Sequence, residues 1–273
     1  MSTTDTAVDA TARARDLLGV SRLTNQALTT WLHGLPGVDQ VGCEARAAGL
    51  GTRSIKNDSK RWAIDLAISM IDLTTLEGAD THGRVRGLAA KALSPDPSDL
   101  TTPRPAAVCV YGDMVATAKE VLGDSGVKVA AVATAFPSGR ASMPVKLLDT
   151  KDAVTAGADE IDMVIDRGAF LSGDYLTVFH QIAQTKAACG DARLKVIMET
   201  GELVTYDNVR RASWLSMLAG GDFINSVKAA KEFGINKSMK IAGLLVFIND
   251  VHSLGLNNTE GLQLADSWYW NQD

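Results

Sequence analysis

The chain has 273 residues, 46% of them apolar, enough for one large buried core of the size an α/β barrel needs. With 27 basic and 32 acidic residues the formal charge is −5, so there is no basic stripe to neutralise a nucleic-acid backbone, and small solutes are the expected partners. Three widely separated cysteines, Cys43, Cys109 and Cys189, fit neither a disulfide framework nor a zinc knuckle and suit a reducing cytoplasm.

The first eleven residues are polar and acidic, without the basic and apolar segments of a secretory signal. Residues 12–70 read as helical, with Leu17, Leu18, Leu28 and Trp31 at helical spacing and a basic polar stretch from Arg53 to Arg61. Residues 1–62 are thus expected to form a helical extension, a lid ahead of the barrel. From there β-type runs recur about every 30 residues, each followed by a polar or Ala-rich helical stretch, as in repeated βαβ units. Strands are predicted at Ile68–Leu73, Ala107–Tyr111, Lys128–Thr134, Glu160–Ile165, Leu194–Glu199 and Asp222–Ile224. Two more are expected at Ile241–Phe247, apolar almost throughout as a strand covered on both faces should be, and at Leu262–Trp268.

Eight strands predict a single-domain (β/α)8 TIM barrel. A doubly wound open sheet is disfavoured, because Asp72-Leu73-Thr74-Thr75-Leu76 after the first strand is not a Gly-rich phosphate turn. Trp268 to Asp273 leaves no room for an eighth helix. The last strands would then expose apolar surface or recruit a second chain, which makes a homodimer the expected assembly. The longest apolar runs fall well short of the roughly 20 residues that cross a bilayer, so no membrane partner is expected.

In a barrel, catalytic groups sit near the carboxyl-terminal strand ends, and polar residues inside strands are informative. Leu194, Val196 and Met198 alternate with Lys195, Ile197 and Glu199, so with the apolar set against the helices Lys195 points into the barrel. Desolvation there favours the neutral amine, the form that attacks a carbonyl. The alternative is a structural ion pair with Glu199 or Asp162. The fourth strand repeats the pattern, with Asp162 inward as either a proton relay or a simple counter-charge. Asp72 is a third polar group at the same mouth or a cap for the following loop. His33, His82, His180 and His252 are too scattered to be metal ligands, so no metal is expected. Cys109 is a small strand residue, reactive only if it lines the pocket.

Several segments resemble successive strands of the deoxyribose-phosphate aldolase family. They are Met70-Ile71-Asp72-Leu73-Thr74-Thr75-Leu76, Ala107-Val108-Cys109-Val110-Tyr111, Gly157-Ala158-Asp159-Glu160-Ile161-Asp162 and Leu194-Lys195-Val196-Ile197-Met198-Glu199-Thr200-Gly201-Glu202-Leu203. The likeness runs in order from about residue 44 to Ile224. It implies a class I aldolase that cleaves 2-deoxyribose 5-phosphate to acetaldehyde and glyceraldehyde 3-phosphate without metal or other cofactor. On the same ground Lys195 is the Schiff-base lysine, Asp162 the proton-relay carboxylate, and Asp72, Cys109 and Thr200 line the substrate pocket.

After Ile224 the likeness stops. The family continues with Lys-Thr-Ser-Thr-Gly-Lys, whose last lysine helps to activate the Schiff-base lysine. This chain reads Asn225-Ser226-Val227-Lys228-Ala229-Ala230, with Ala230 at that position and Lys228 and Lys231 out of register. The phosphate-holding turns after strands seven and eight are also missing from the sequence. About residues 227–271 instead resemble part of a periplasmic substrate-binding protein of the branched-chain amino-acid transporter type. The expectation is a chimera, built or recombined, in which 63–224 supply aldolase-like strands one to six and 225–273 supply the rest. Its activity is expected to be reduced or lost, and the alternative is a hybrid barrel scaffold with no catalytic function.

Overall fold

The computed structural model describes residues 3–225 and the two-residue strands Ala242–Gly243 and Gln263–Leu264. Four helices come first: α1 (Thr3–Leu18), α2 (Asn25–His33), α3 (Gln40–Gly51) and α4 (Asn57–Met70). Strands and helices then alternate as β1 (Asp72–Thr74), α5 (His82–Leu93), β2 (Ala107–Tyr111), α6 (Val115–Leu122), β3 (Lys128–Ala133), α7 (Met143–Thr155) and β4 (Glu160–Val164). They continue as α8 (Arg167–Leu171), α9 (Tyr175–Cys189), β5 (Arg193–Ile197), α10 (Tyr206–Leu218) and β6 (Phe223–Asn225). The strands are hydrogen-bonded in chain order, β1 to β6, and β1–β2, β4–β5 and β5–β6 are parallel. Six strands in sequence with helical crossovers are the β/α barrel pattern expected from the sequence. The short strands β7 (Ala242–Gly243) and β8 (Gln263–Leu264) pair with each other in parallel, inside the two ranges predicted for the last strands. Lys228, Ala230, Lys231 and the rest of the tail apart from these two strands lie outside the described residues.

The chain forms two compact units, one of Met1–Asp39 with Ala131–Ser226, the other built on Gln40–Ala130. In the first, β4 and β5 alternate charged with apolar residues, Ile161, Met163, Leu194 and Val196 being buried, and α9 carries a buried face that includes Val178, Phe179 and Ile182. Side chains start the helices by accepting orphan backbone N–H bonds: Thr24 from Ala27, Asp166 from Ala169, Asp174 from Thr177 and Thr205 from Asn208. The amino-terminal helices α1 and α2 pack on α9, and α2 also meets α10, so they belong to the helical layer of this unit. That corrects the expectation of a lid for this part of the extension. Buried Ala14, Leu28 and Leu32 commit their apolar stripes to helix packing. Asn25 fixes the contact by donating to Gly173 O at 2.9 Å and accepting from Leu176 N at 3.0 Å.

In the second unit β1 and β2 run in register, Asp72 beside Ala107 and Thr74 beside Cys109, and α5 packs on both strands and on α6. The predicted strand Ile68–Leu73 is displaced, because α4 continues through Met70 and β1 begins only at Asp72. Trp62, Leu66 and Met70 fall four residues apart and share a helical stripe, and Ser69 Oγ donates back to Leu66 O within the same turn. At the other end of the prediction, β3 stops at Ala133 rather than Thr134. Thr134 and Ala135 adopt left-handed backbone angles, φ 64° and 63°, which no strand can continue through. Gly139 closes the same loop at φ +68°, where an added Cβ would stand 2.9 Å from Ile165 O.

Candidate active site

Parallel register sets Asp162 of β4 directly beside Lys195 of β5, and Glu160 beside Arg193. With a side-chain period of two, Glu160, Asp162, Arg193 and Lys195 all occupy one face of the pair. Leu194, Val196 and Met198 are completely or almost completely buried on the other, as the alternation of the sequence required. Lys195 itself is 8% exposed and Asp162 3%. The lysine Nζ lies 3.2 Å from Asp162 Oδ1 and 3.0 Å from Glu160 Oε2.

Glu160 was not singled out by the sequence, although the rule that placed Asp162 places it too: it is two residues earlier on the same strand. Glu199, the other partner considered for Lys195, pairs with Arg167 instead. The strand ends at Ile197, and Glu199 turns away with a left-handed φ of 49°, so the alternation no longer applies to it. Thr200 is fully buried and opens the 3-10 turn Thr200–Leu203 that follows β5. Thr134 Oγ1, at the end of β3, accepts from Val164 N at 3.2 Å and ties the loop there to the end of β4.

Asp72 and Cys109 both lie in the unit built on Gln40–Ala130, Asp72 as the first residue of β1 and Cys109 buried at the centre of β2. The loop after β1 is held by Asp80, whose carboxylate accepts from Thr75 Oγ1 at 2.8 Å and from Glu77 N at 3.0 Å. That is the capping role considered for Asp72. Nearby, burial first and the charges of Asp80 and Glu77 second push the Tyr111 hydroxyl above its ordinary range.

A second buried amine escaped the sequence reading. Lys146 on α7 is completely enclosed, donates from Nζ to Gln181 Oε1 at 3.0 Å, and is held below the usual lysine range by desolvation, with Asp166 acting in the opposite sense. Nothing in Met143-Pro144-Val145-Lys146 distinguishes it from a solvated helix lysine. Among the described residues no three His, Cys, Asp or Glu side chains come together as a metal site requires, and no helix is long and apolar enough to cross a membrane.

The chain is similar in sequence to known aldolases. The DeoC/LacD family aldolase model matches residues 66–238, beyond the point at which the resemblance read from the sequence stops. A Homo sapiens deoxyribose-phosphate aldolase is 36% identical over 80% of this chain and 73% of its own length. A Caenorhabditis elegans protein described as a candidate deoxyribose-phosphate aldolase is 40% identical over 72% of this chain, and the match spans 65% of the nematode protein. Among solved structures, a candidate deoxyribose-phosphate aldolase from Coccidioides immitis superposes with a TM-score of 0.60 at 23% identity, covering 89% of this chain and 93% of that one, a likeness of fold.

Proposed function

This chain belongs to the DeoC/LacD aldolase family, and from that premise we propose that it is a class I aldolase acting on 2-deoxyribose 5-phosphate. The observation that carries the reading is a lysine 8% exposed on a parallel strand with a carboxylate in register beside it. In the synthetic direction the lone pair of neutral Nζ adds to the carbonyl carbon of acetaldehyde while the carbonyl oxygen takes up a proton. Loss of that oxygen as water leaves an iminium, which gives up a proton from its methyl carbon to become an enamine. That carbon adds to the aldehyde carbon of glyceraldehyde 3-phosphate, whose oxygen takes up a proton, and water then releases the product from Nζ. Asp162, 3.2 Å from Nζ, accepts the ammonium proton and returns it to the departing oxygen. Asp72, Cys109 and Thr200 are assigned to the pocket lining by the family resemblance.

Ala230 replaces the second lysine of the family pattern and the phosphate turns are missing from the sequence, so kcat and KM are both expected to be poorer than in a complete aldolase. On its sequence alone we read residues 225–273 as a substrate-binding-protein fragment completing the barrel, although the family match overlaps its first part through residue 238. Three free cysteines suit a reducing compartment such as the cytoplasm.

The test is peptide mapping by mass after treatment with acetaldehyde and borohydride, comparing the native chain with Lys195→Met. A two-carbon adduct on the peptide carrying Lys195, absent from the variant, is the expected result. A folded native chain with no adduct at Lys195 would overturn the aldolase reading and leave an inactive scaffold.

A further inference from the structure

Two carboxylates on one amine are more than proton relay requires. Asp162 is in register with Lys195 and 3.2 Å from Nζ; Glu160 lies one strand repeat earlier and reaches the same atom at 3.0 Å. Both contacts are largely withdrawn from water, with side-chain exposures of 16% for Glu160, 5% for Asp162 and 10% for Lys195. An opposite charge at this range stabilises the ammonium against the neutral amine, and each further carboxylate adds to the effect. The neutral amine is the nucleophile, so the second carboxylate works against imine formation.

We propose that Glu160 is a positioning residue that holds Lys195 in its protonated resting state, an inference that rests on the Schiff-base role assigned to Lys195 above. Asp162 exchanges the proton; Glu160 sets how much of the amine is free of it. The charged groups on this face of β4 and β5 are Glu160, Asp162, Arg193 and Lys195, and β6 presents Phe223 in register with Lys195. Residues 131–133 of β3 are Ala131, Val132 and Ala133, with nothing to titrate. Arg193 is turned toward β6, its guanidinium 5.9 Å from the Phe223 ring centre. Removing the Glu160 charge takes one carboxylate away from the amine.

The experiment measures the rate of the borohydride-trapped acetaldehyde adduct on the Lys195 peptide from pH 6 to pH 10, for the native chain, Glu160→Gln and Glu160→Asp. Glutamine keeps the shape of the side chain and loses its charge. Its midpoint should fall by about one pH unit, making trapping about tenfold faster on the acid side of the profile, with the plateau at high pH unchanged. Aspartate keeps the charge, and its midpoint should return toward the native one. Superimposable profiles for the native chain and Glu160→Gln, with an adduct in both, would refute the role of Glu160 while leaving the aldolase reading intact. No Lys195 adduct in any of the folded proteins would remove the Schiff-base reading and this inference with it. A glutamine variant that loses plateau as well as midpoint, with no recovery in aspartate, would also overturn it, because such a change marks a residue needed only for the shape of the site.

Discussion

Replacing Lys146 by methionine separates the energetics of a buried amine from those of the volume it fills. Lys146 is fully enclosed where α7 packs on α9, and burial holds its amine below the usual range, opposed by Asp166. In the unfolded chain the same amine titrates at its ordinary value, about 10.4. The folded value is the lower one, so between the two the unfolded state binds more proton, and stability rises with pH across that alkaline window. The slope has a ceiling of about 1.4 kcal/mol per pH unit for a single proton, and below the window the full penalty of desolvation applies. Methionine keeps the length and removes the titration, but it leaves Gln181 Oε1 without the donor now 3.0 Å away, a cost of about 1–3 kcal/mol. Gln181→Leu in the same chain removes that orphan acceptor as well. Urea unfolding in half-unit steps from pH 7 to 10.5 should find Lys146→Met less stable than the native chain by about 1–2 kcal/mol at the alkaline end. The gap should narrow toward pH 7, and the double variant should match or exceed the native chain there. A difference between native and Lys146→Met that stays constant over the whole range would refute the reasoning, since it would mean that the amine titrates alike in both states.

Two further outcomes follow from the packing. Asn25→Ala removes both hydrogen bonds that fasten α2 to Gly173 and to Leu176 at the start of α9, and should cost about 2 kcal/mol in chemical unfolding. It should also increase amide exchange in α2 before any other helix of that unit. Burial pushes the Cys189 thiol up to about 12, so a thiol reagent at pH 8 should label Cys43 in the native protein and reach Cys189 only in urea. Rapid labelling of Cys189 without denaturant would contradict its place in the core.

Much of the strand layer could be read from the sequence because barrel strands are short, apolar and bounded by turns: β2 matches its predicted limits, and β3 and β4 differ only at their carboxyl ends. The failure at β1 has a specific cause. Ile68-Ser69-Met70-Ile71 serves equally well as strand or as the last turn of a helix, and nothing local shows that the helical stripe begun at Trp62 runs on to Met70. At the site, period-two alternation placed Lys195 and Asp162 correctly because both sit inside regular strand. The same alternation was extended to Glu199, past the point where the backbone goes left-handed, and was not extended back to Glu160, where a charged residue at the start of a strand reads as a boundary. Lys146 left no trace, since helix spacing does not reveal which neighbour will close over a given face.

The Asn25 clamp joins positions 148 and 151 residues apart in the chain. During synthesis α1 and α2 therefore emerge long before the helix they cover: at 5–20 residues per second, α9 follows after about 7–30 s. For that interval Leu28 and Leu32 have no native surface to bury themselves on. The window is far longer than a small domain takes to fold, and it makes the amino-terminal segment the natural place for a chaperone to bind the nascent chain.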